Sequence, residues 1–258
     1  MLPESVIQPD GAGRPVRIYT CGRFGVVING SPLRFTRKVQ KKPLDLLKAI
    51  IAFGGRDISE QQLTAALWPD SGTNSAHLCF KTNIHRLRHM LGNEHIVVVQ
   101  EGRVSLDTRY CWIDVWAFER ILGQAKKAGA ASAALLTGQA VALYGGHFLE
   151  TDCNEPWTVS LREHLRCLYV RAIVRLGAYH EQAGVLDRAI ECYEDGLRVD
   201  DLEEEFYQRL IACHLRAGRK AEAIRTCQRC CSVLTACLGV GPSPETRELC
   251  RDSQKEPA

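Results

Sequence analysis

The 258-residue sequence predicts a mainly α chain in two parts: a small α+β N-terminal domain and an all-α helical repeat behind it. Three observations predict this. Strand-like apolar runs closed by Asn-Gly and Glu-Gly turns lie before residue 109, where they bracket three helical patterns. A 34-residue self-similarity runs through the second half. Charge divides at the same place: residues 15–109 hold 14 Lys and Arg against 7 Asp and Glu, a balance of +7, and residues 110–258 hold 18 against 21, a balance of −3.

The bulk composition, 45% hydrophobic and 24% charged, is that of a soluble globular protein. No apolar run approaches the ~20 residues that span a bilayer, so no membrane partner is expected. Residues 1–14 contain Pro3, Pro9, Gly11 and Gly13 and lack the basic start and apolar core of a secretory signal. They read as a disordered lead-in, and the expected localisation is cytoplasmic. The 12 cysteines fall mostly on apolar positions of helices and read as small core hydrophobes and incidental thiols.

Val16 to Ile28 reads as strand, and Asn29-Gly30 as a two-residue hairpin turn, because both positions tolerate positive φ. Leu33 and Phe35 continue the return strand. Pro43 suits a first helical turn, Leu44, Leu47, Ile50 and Ile51 follow at helical spacing, and Gly54-Gly55 end the helix. Ser59-Glu60-Gln61-Gln62 resembles a capping box opening a second helix with Leu63, Ala66 and Leu67 on its apolar side. Trp68-Pro69-Asp70 ends it, and Asn74 is the expected cap of a third helix, Ser75 to Leu91.

That third helix is the informative one. Phe80, Ile84, Leu87 and Leu91 fall within about 60° of one another on a helical projection. The opposite face carries Leu78, Thr82, His85, Arg86 and His89, flanked by Lys81 and Arg88. A narrow core stripe backed by a donor-rich face is what a DNA major groove accepts, because Arg, Lys, Thr and His donate to phosphates and to guanine O6 and N7. A second hairpin follows, Ile96–Gln100 and Arg103–Leu106, turning at Glu101-Gly102. The basic run Arg37, Lys38, Lys41 and Lys42 suits phosphates or plain solvent equally.

Sheet, three helices, hairpin is the order of a winged helix-turn-helix. Through Leu67-Trp68-Pro69-Asp70, Ile84-His85-Arg86-Leu87-Arg88-His89-Met90-Leu91 and the hairpin behind them, residues 15–109 resemble an OmpR/PhoB-type DNA-binding domain. The resemblance implies a recognition helix in the major groove of double-stranded DNA, with Lys81, Thr82, His85, Arg86, Arg88 and His89 as contacts and Arg103 reaching from the wing. His85 and His89 stand where such domains commonly carry arginine. Neutral histidine releases no counterion, which predicts modest or pH-sensitive affinity between about pH 6 and 7.

In the second half, Asp114–Leu122 and Ala133–Tyr144 read as helices, and Trp157 leads a long one to about Ala183. Shifting by 34 residues places Ala183-Gly184 on Ala217-Gly218, Ala189-Ile190 on Ala223-Ile224, Leu176 on Leu210, His180 on His214 and Tyr193 on Cys227. This is the tetratricopeptide period: small residues let paired helices approach, and larger ones fill the layer between pairs. Leu238-Gly239-Val240-Gly241-Pro242 then ends the last long helix before a short terminal one. This stretch and Tyr144-Gly145-Gly146-His147-Phe148-Leu149 resemble the bacterial transcriptional activator domain over residues 114–251, leaving 252–258 as a tail. Joined to the winged helix, the chain resembles small members of the SARP (antibiotic regulatory protein) family. The resemblance implies activation: binding to direct repeats near a promoter, two protomers side by side as a homodimer on DNA, and contact with RNA polymerase.

No GxxxxGK[ST] phosphate loop and no GxSxG elbow occurs, so no enzyme activity and no cofactor is expected. Cys227-x-x-Cys230-Cys231 lacks a second ligand pair at zinc-ribbon spacing, and no metal site is expected. Two other readings stay open: a repeat-based protein-interaction adaptor with a degenerate winged helix, and a thiol-based redox sensor.

Overall fold

The computed structural model describes residues 13–34 and 41–254. Most of the lead-in, residues 35–40 (with Phe35, Arg37 and Lys38) and the last four residues lie outside the described part. The chain packs as two compact units, one of residues up to Arg120 together with Ala142–Arg166, the other of Ile121–Val141 with the rest of the C-terminal half. Among the described residues no helix is long and apolar enough to cross a membrane.

The first unit contains β1 (Val16–Tyr19), β2 (Gly25–Ile28), β3 (Ser31–Pro32), α1 (Lys41–Ala52), β4 (Ile58–Ser59), α2 (Glu60–Leu67), α3 (Thr73–Leu91), β5 (Val97–Gln100), β6 (Arg103–Leu106), β7 (Cys111–Ile113) and the start of α4 (Asp114–Ala125). One sheet has the order β3-β2-β1-β7 and the other β4-β6-β5. The Asn29-Gly30 turn takes positive φ at both residues, as its sequence predicts. Val16–Ile28 is two antiparallel strands rather than one, with Val16 opposite Ile28. The reason is Asp114, which is only 1% exposed. Its Oδ2 accepts the Thr20 and Cys21 N–H groups at 2.6 and 2.8 Å, and its Oδ1 the Thr20 hydroxyl at 2.6 Å and the Val115 N–H at 2.8 Å. The backbone at Thr20 and Cys21 thus leaves the ladder to hold a carboxylate. Burial pushes that carboxyl's pKa up, and the four donors oppose the shift.

β7 was not anticipated. It pairs parallel with β1, Val16 beside Cys111, and carries the N-terminal sheet beyond residue 109. β4 was also missed: two residues long, it completes the wing sheet through Ile58 opposite Val104. The segment after Ala142 packs in the same unit. Leu149 N–H donates to Thr20 O at 2.8 Å, Gly22 N–H to His147 O at 2.9 Å, and Arg162 Nε to Phe148 O at 3.0 Å. Lys48 Nζ lies 2.8 Å from Asp152 Oδ2, with both side chains largely buried. Asp152 thereby has a structural partner.

The second unit contains most of α5 (Ala130–Leu143) and α6 (Val159–Gln182), then α7 (Leu186–Val199), α8 (Glu204–Arg216), α9 (Lys220–Leu238) and α10 (Pro244–Gln254). Gly184 and Gly218, one period apart, end α6 and α8 with nearly equal positive φ of 74° and 71°. The inter-helix turn is therefore the same turn twice. Ala189 and Ala223 are both fully buried, as are Tyr193 and Leu210. At Gly177 a Cβ would stand 2.3 Å from the Tyr193 ring, so only glycine lets α6 and α7 meet there. Glu181 ties the layers together, accepting the Tyr193 hydroxyl at 2.6 Å and Arg216 Nη1 at 2.7 Å.

Cysteine use differs in one respect from the expectation of core filler. Cys227 is buried, but its sulfur is bonded to Cys250, joining α9 to α10. Cys230 is buried and its thiol is pushed up to about 12 by desolvation, which suppresses the nucleophilic thiolate.

Candidate nucleic-acid interface

The α2–α3 pair presents the site. Ser59 caps α2, its hydroxyl accepting the Gln62 N–H at 3.1 Å, an arrangement worth ~1 kcal/mol. α3 starts at Thr73 with Gly72 as its cap, so Asn74 lies inside the helix and no side chain caps it. His77 Nδ1 meets the Glu60 carboxylate and pins the start of α3 to α2. α3 buries Ala76, Phe80, Asn83, Ile84, Leu87 and Leu91. The anticipated stripe is there, with Ala76 and Asn83 added. Asn83 reaches back along its own helix, Nδ2 donating to Cys79 O at 2.8 Å.

The opposite face is open. Lys81, Thr82, His85, Arg86 and His89 are all exposed. Among the described residues Lys81, His85, Arg86 and His89 have no hydrogen-bond or ion-pair partner. Their donors are available to an outside acceptor without breaking an internal contact.

The other expected contacts are placed differently. Arg88 is half-buried, and its Nε and Nη2 donate to Val97 O at 3.0 and 2.7 Å. It fastens α3 to the first wing strand. Thr82 donates its hydroxyl hydrogen to Leu78 O at 2.9 Å, within the helix. Arg103 sits where the wing turns and is exposed, but Nη1 donates to Asp57 O at 3.1 Å and lies 3.7 Å from the Asp57 carboxylate. An exposed pair of this kind is worth little and opens readily. Glu101 and Gly102 turn the wing with φ of 49° and 72°, and Gly102 O accepts the Glu60 N–H at 2.8 Å, tying the tip to α2. Lys41 and Lys42 are exposed at the start of α1.

What sequence reasoning missed is which cations are committed internally. Arg86 and Arg88 are two residues apart on one helix, and only the arrival of β5 beside α3 gives Arg88 a carbonyl. A weak signal existed: Arg88 directly follows the core residue Leu87 and lies at the border of the polar face.

A family model for the bacterial transcriptional activator domain matches residues 113–252. The regulatory protein AfsR of Streptomyces griseus is 25% identical over 234 residues, covering 85% of this chain and 23% of that protein. The chain thus spans about a quarter of the length of this curated relative. Among solved structures, EmbR of Mycobacterium tuberculosis, in complex with a low-affinity phosphopeptide, matches with a TM-score of 0.70 at 19% identity. The match covers 93% of this chain and 65% of that one, and at this identity the likeness is one of fold: mainly helical, with a small N-terminal sheet region and a helical repeat.

Proposed function

Because the chain belongs to the bacterial transcriptional activator domain family, we propose that it is a SARP-type transcription regulator that binds double-stranded DNA through the exposed face of α3. One observation supports this above the rest: Lys81, His85 and Arg86 share an exposed face and have no partner among the described residues. Arg86 and Lys81 meet base edges and phosphates, Arg88 positions the wing, and Arg103 exchanges Asp57 for the DNA backbone. Lys41 and Lys42 add phosphate contacts at the start of α1. The repeat unit is the part that meets RNA polymerase, and two protomers occupy adjacent direct repeats.

Selection of bound duplexes from a random library tests the reading. A recovered direct repeat, with log affinity falling steeply against log salt at about 0.9 per phosphate neutralised, supports it. No enriched sequence, together with a flat salt dependence, overturns it in favour of the adaptor.

A further inference from the structure

Leu78 is 67% exposed, the most exposed of the large apolar side chains that stand out on the surface. An exposed leucine alone is ordinary. Its position is not: it lies on α3 three residues before Lys81, four before Thr82 and seven before His85, and so on the unpartnered polar face. Thr82 adds a second observation. Its hydroxyl hydrogen is engaged by Leu78 O at 2.9 Å, so toward an outside surface it offers its methyl and an acceptor oxygen but no donor. An apolar patch of an isobutyl group and a methyl thus sits among cations on a face otherwise built for a polyanion.

We propose that Leu78, with the Thr82 methyl beside it, reads the 5-methyl group of a thymine in the major groove. This rests on the DNA-binding reading above and names part of its sequence preference. The chemistry selects thymine among the bases. Every base edge presents donors or acceptors in the major groove, thymine's O4 included, but thymine's methyl is the one apolar group there that a leucine can cover favourably. Lys81 and Arg86 on either side hold phosphate and guanine, which sets the apolar patch against an interior base step. The preference order at that position is thymine over uracil over cytosine. Removal of one buried methyl lowers affinity about fourfold.

The test is a cycle on the full chain and its selected operator. Each thymine is replaced in turn by deoxyuridine, and binding is measured for the wild type and for Leu78→Ala. The expected result is a loss of about fourfold at one thymine per half-site for the wild type and none for Leu78→Ala. The side chain is 67% exposed, so the variant keeps its fold, and an unchanged urea unfolding midpoint verifies this. Wild-type binding indifferent to every thymine-to-uracil change, an operator without a fixed thymine, or a Leu78→Ala variant that keeps the discrimination overturns the proposal while leaving DNA binding intact. Failure to select any operator overturns the parent reading and this one with it.

Discussion

The repeat unit and the outer face of α3 treat their cations in opposite ways. In the repeat unit Arg188, Arg198, Arg209, Arg216, Arg225 and Arg229 each hold a carboxylate of the same unit. On α3, Lys81 and Arg86 face outward with no partner among the described residues. Exposed ion pairs contribute little stability, so pairing in the repeats serves mainly to neutralise a surface. The unpaired face of α3 is the reverse: exposed positive charge that, on the proposed function, meets a partner of opposite sign. Net charge by halves hints at this contrast, but the difference lies in the partners, because the second half carries more basic residues than the first in absolute number.

The sharpest way to break the comparison is to unfold one unit without the other. Trp68, Trp112, Trp116 and Trp157 all lie in the first unit, so tryptophan fluorescence follows that unit alone. Asp114→Ala leaves the buried N–H groups of Thr20, Cys21 and Val115 without their acceptor. It is expected to destabilise the first unit by about 4 kcal/mol, read as an earlier fluorescence transition in urea. An unchanged midpoint would mean the carboxylate is not what turns the chain between β1 and β2.

The second unit has its own brace. The Cys227–Cys250 bond closes a 23-residue separation, worth roughly 3 kcal/mol by chain entropy. Reduction is expected to lower the helical transition seen by circular dichroism and to leave the tryptophan transition in place. Equal transitions with and without reductant would remove the bond from the stability of α10.

At the interface, Arg86→Ala is expected to weaken operator binding by about 1–3 kcal/mol with no change in unfolding. Arg88→Ala is expected to lower both affinity and first-unit stability, because the Val97 carbonyl loses both of its arginine donors. Arg225→Ala in the repeats serves as the contrast and should stay within about 0.5 kcal/mol on each measurement. If Arg86 and Arg225 behave alike, the distinction between held and free cations fails.

The smallest effect concerns pH. His214 is buried in the second unit, and desolvation holds its pKa below the ordinary value. The unfolded chain therefore takes up the proton first on acidification. Stability of the repeat unit should fall as pH drops below about 6.5 and level off once the folded state's own lower value is passed. His214→Gln should flatten that slope in denaturation curves run from pH 7.5 to 5, and a slope that persists assigns it to other groups.

Much of this molecule follows from local pattern. The stripe of α3, the Asn29-Gly30 and Glu101-Gly102 turns, the Ser59 cap and the 34-residue period are short-range facts, because helical spacing, positive-φ tolerance and side-chain capping are settled within a few residues. The exposed positions of Lys81, Thr82, His85, Arg86 and His89 follow from the same helical arithmetic. Tertiary structure decided what depends on distant chain: β7 beside β1, Asp114 beneath Thr20, Asp152 against Lys48, Cys250 bonded to Cys227 and Arg88 held by Val97. Each joins residues whose proximity no local propensity encodes. Whether a cation on α3 is free or taken was therefore settled only when the wing packed beside it.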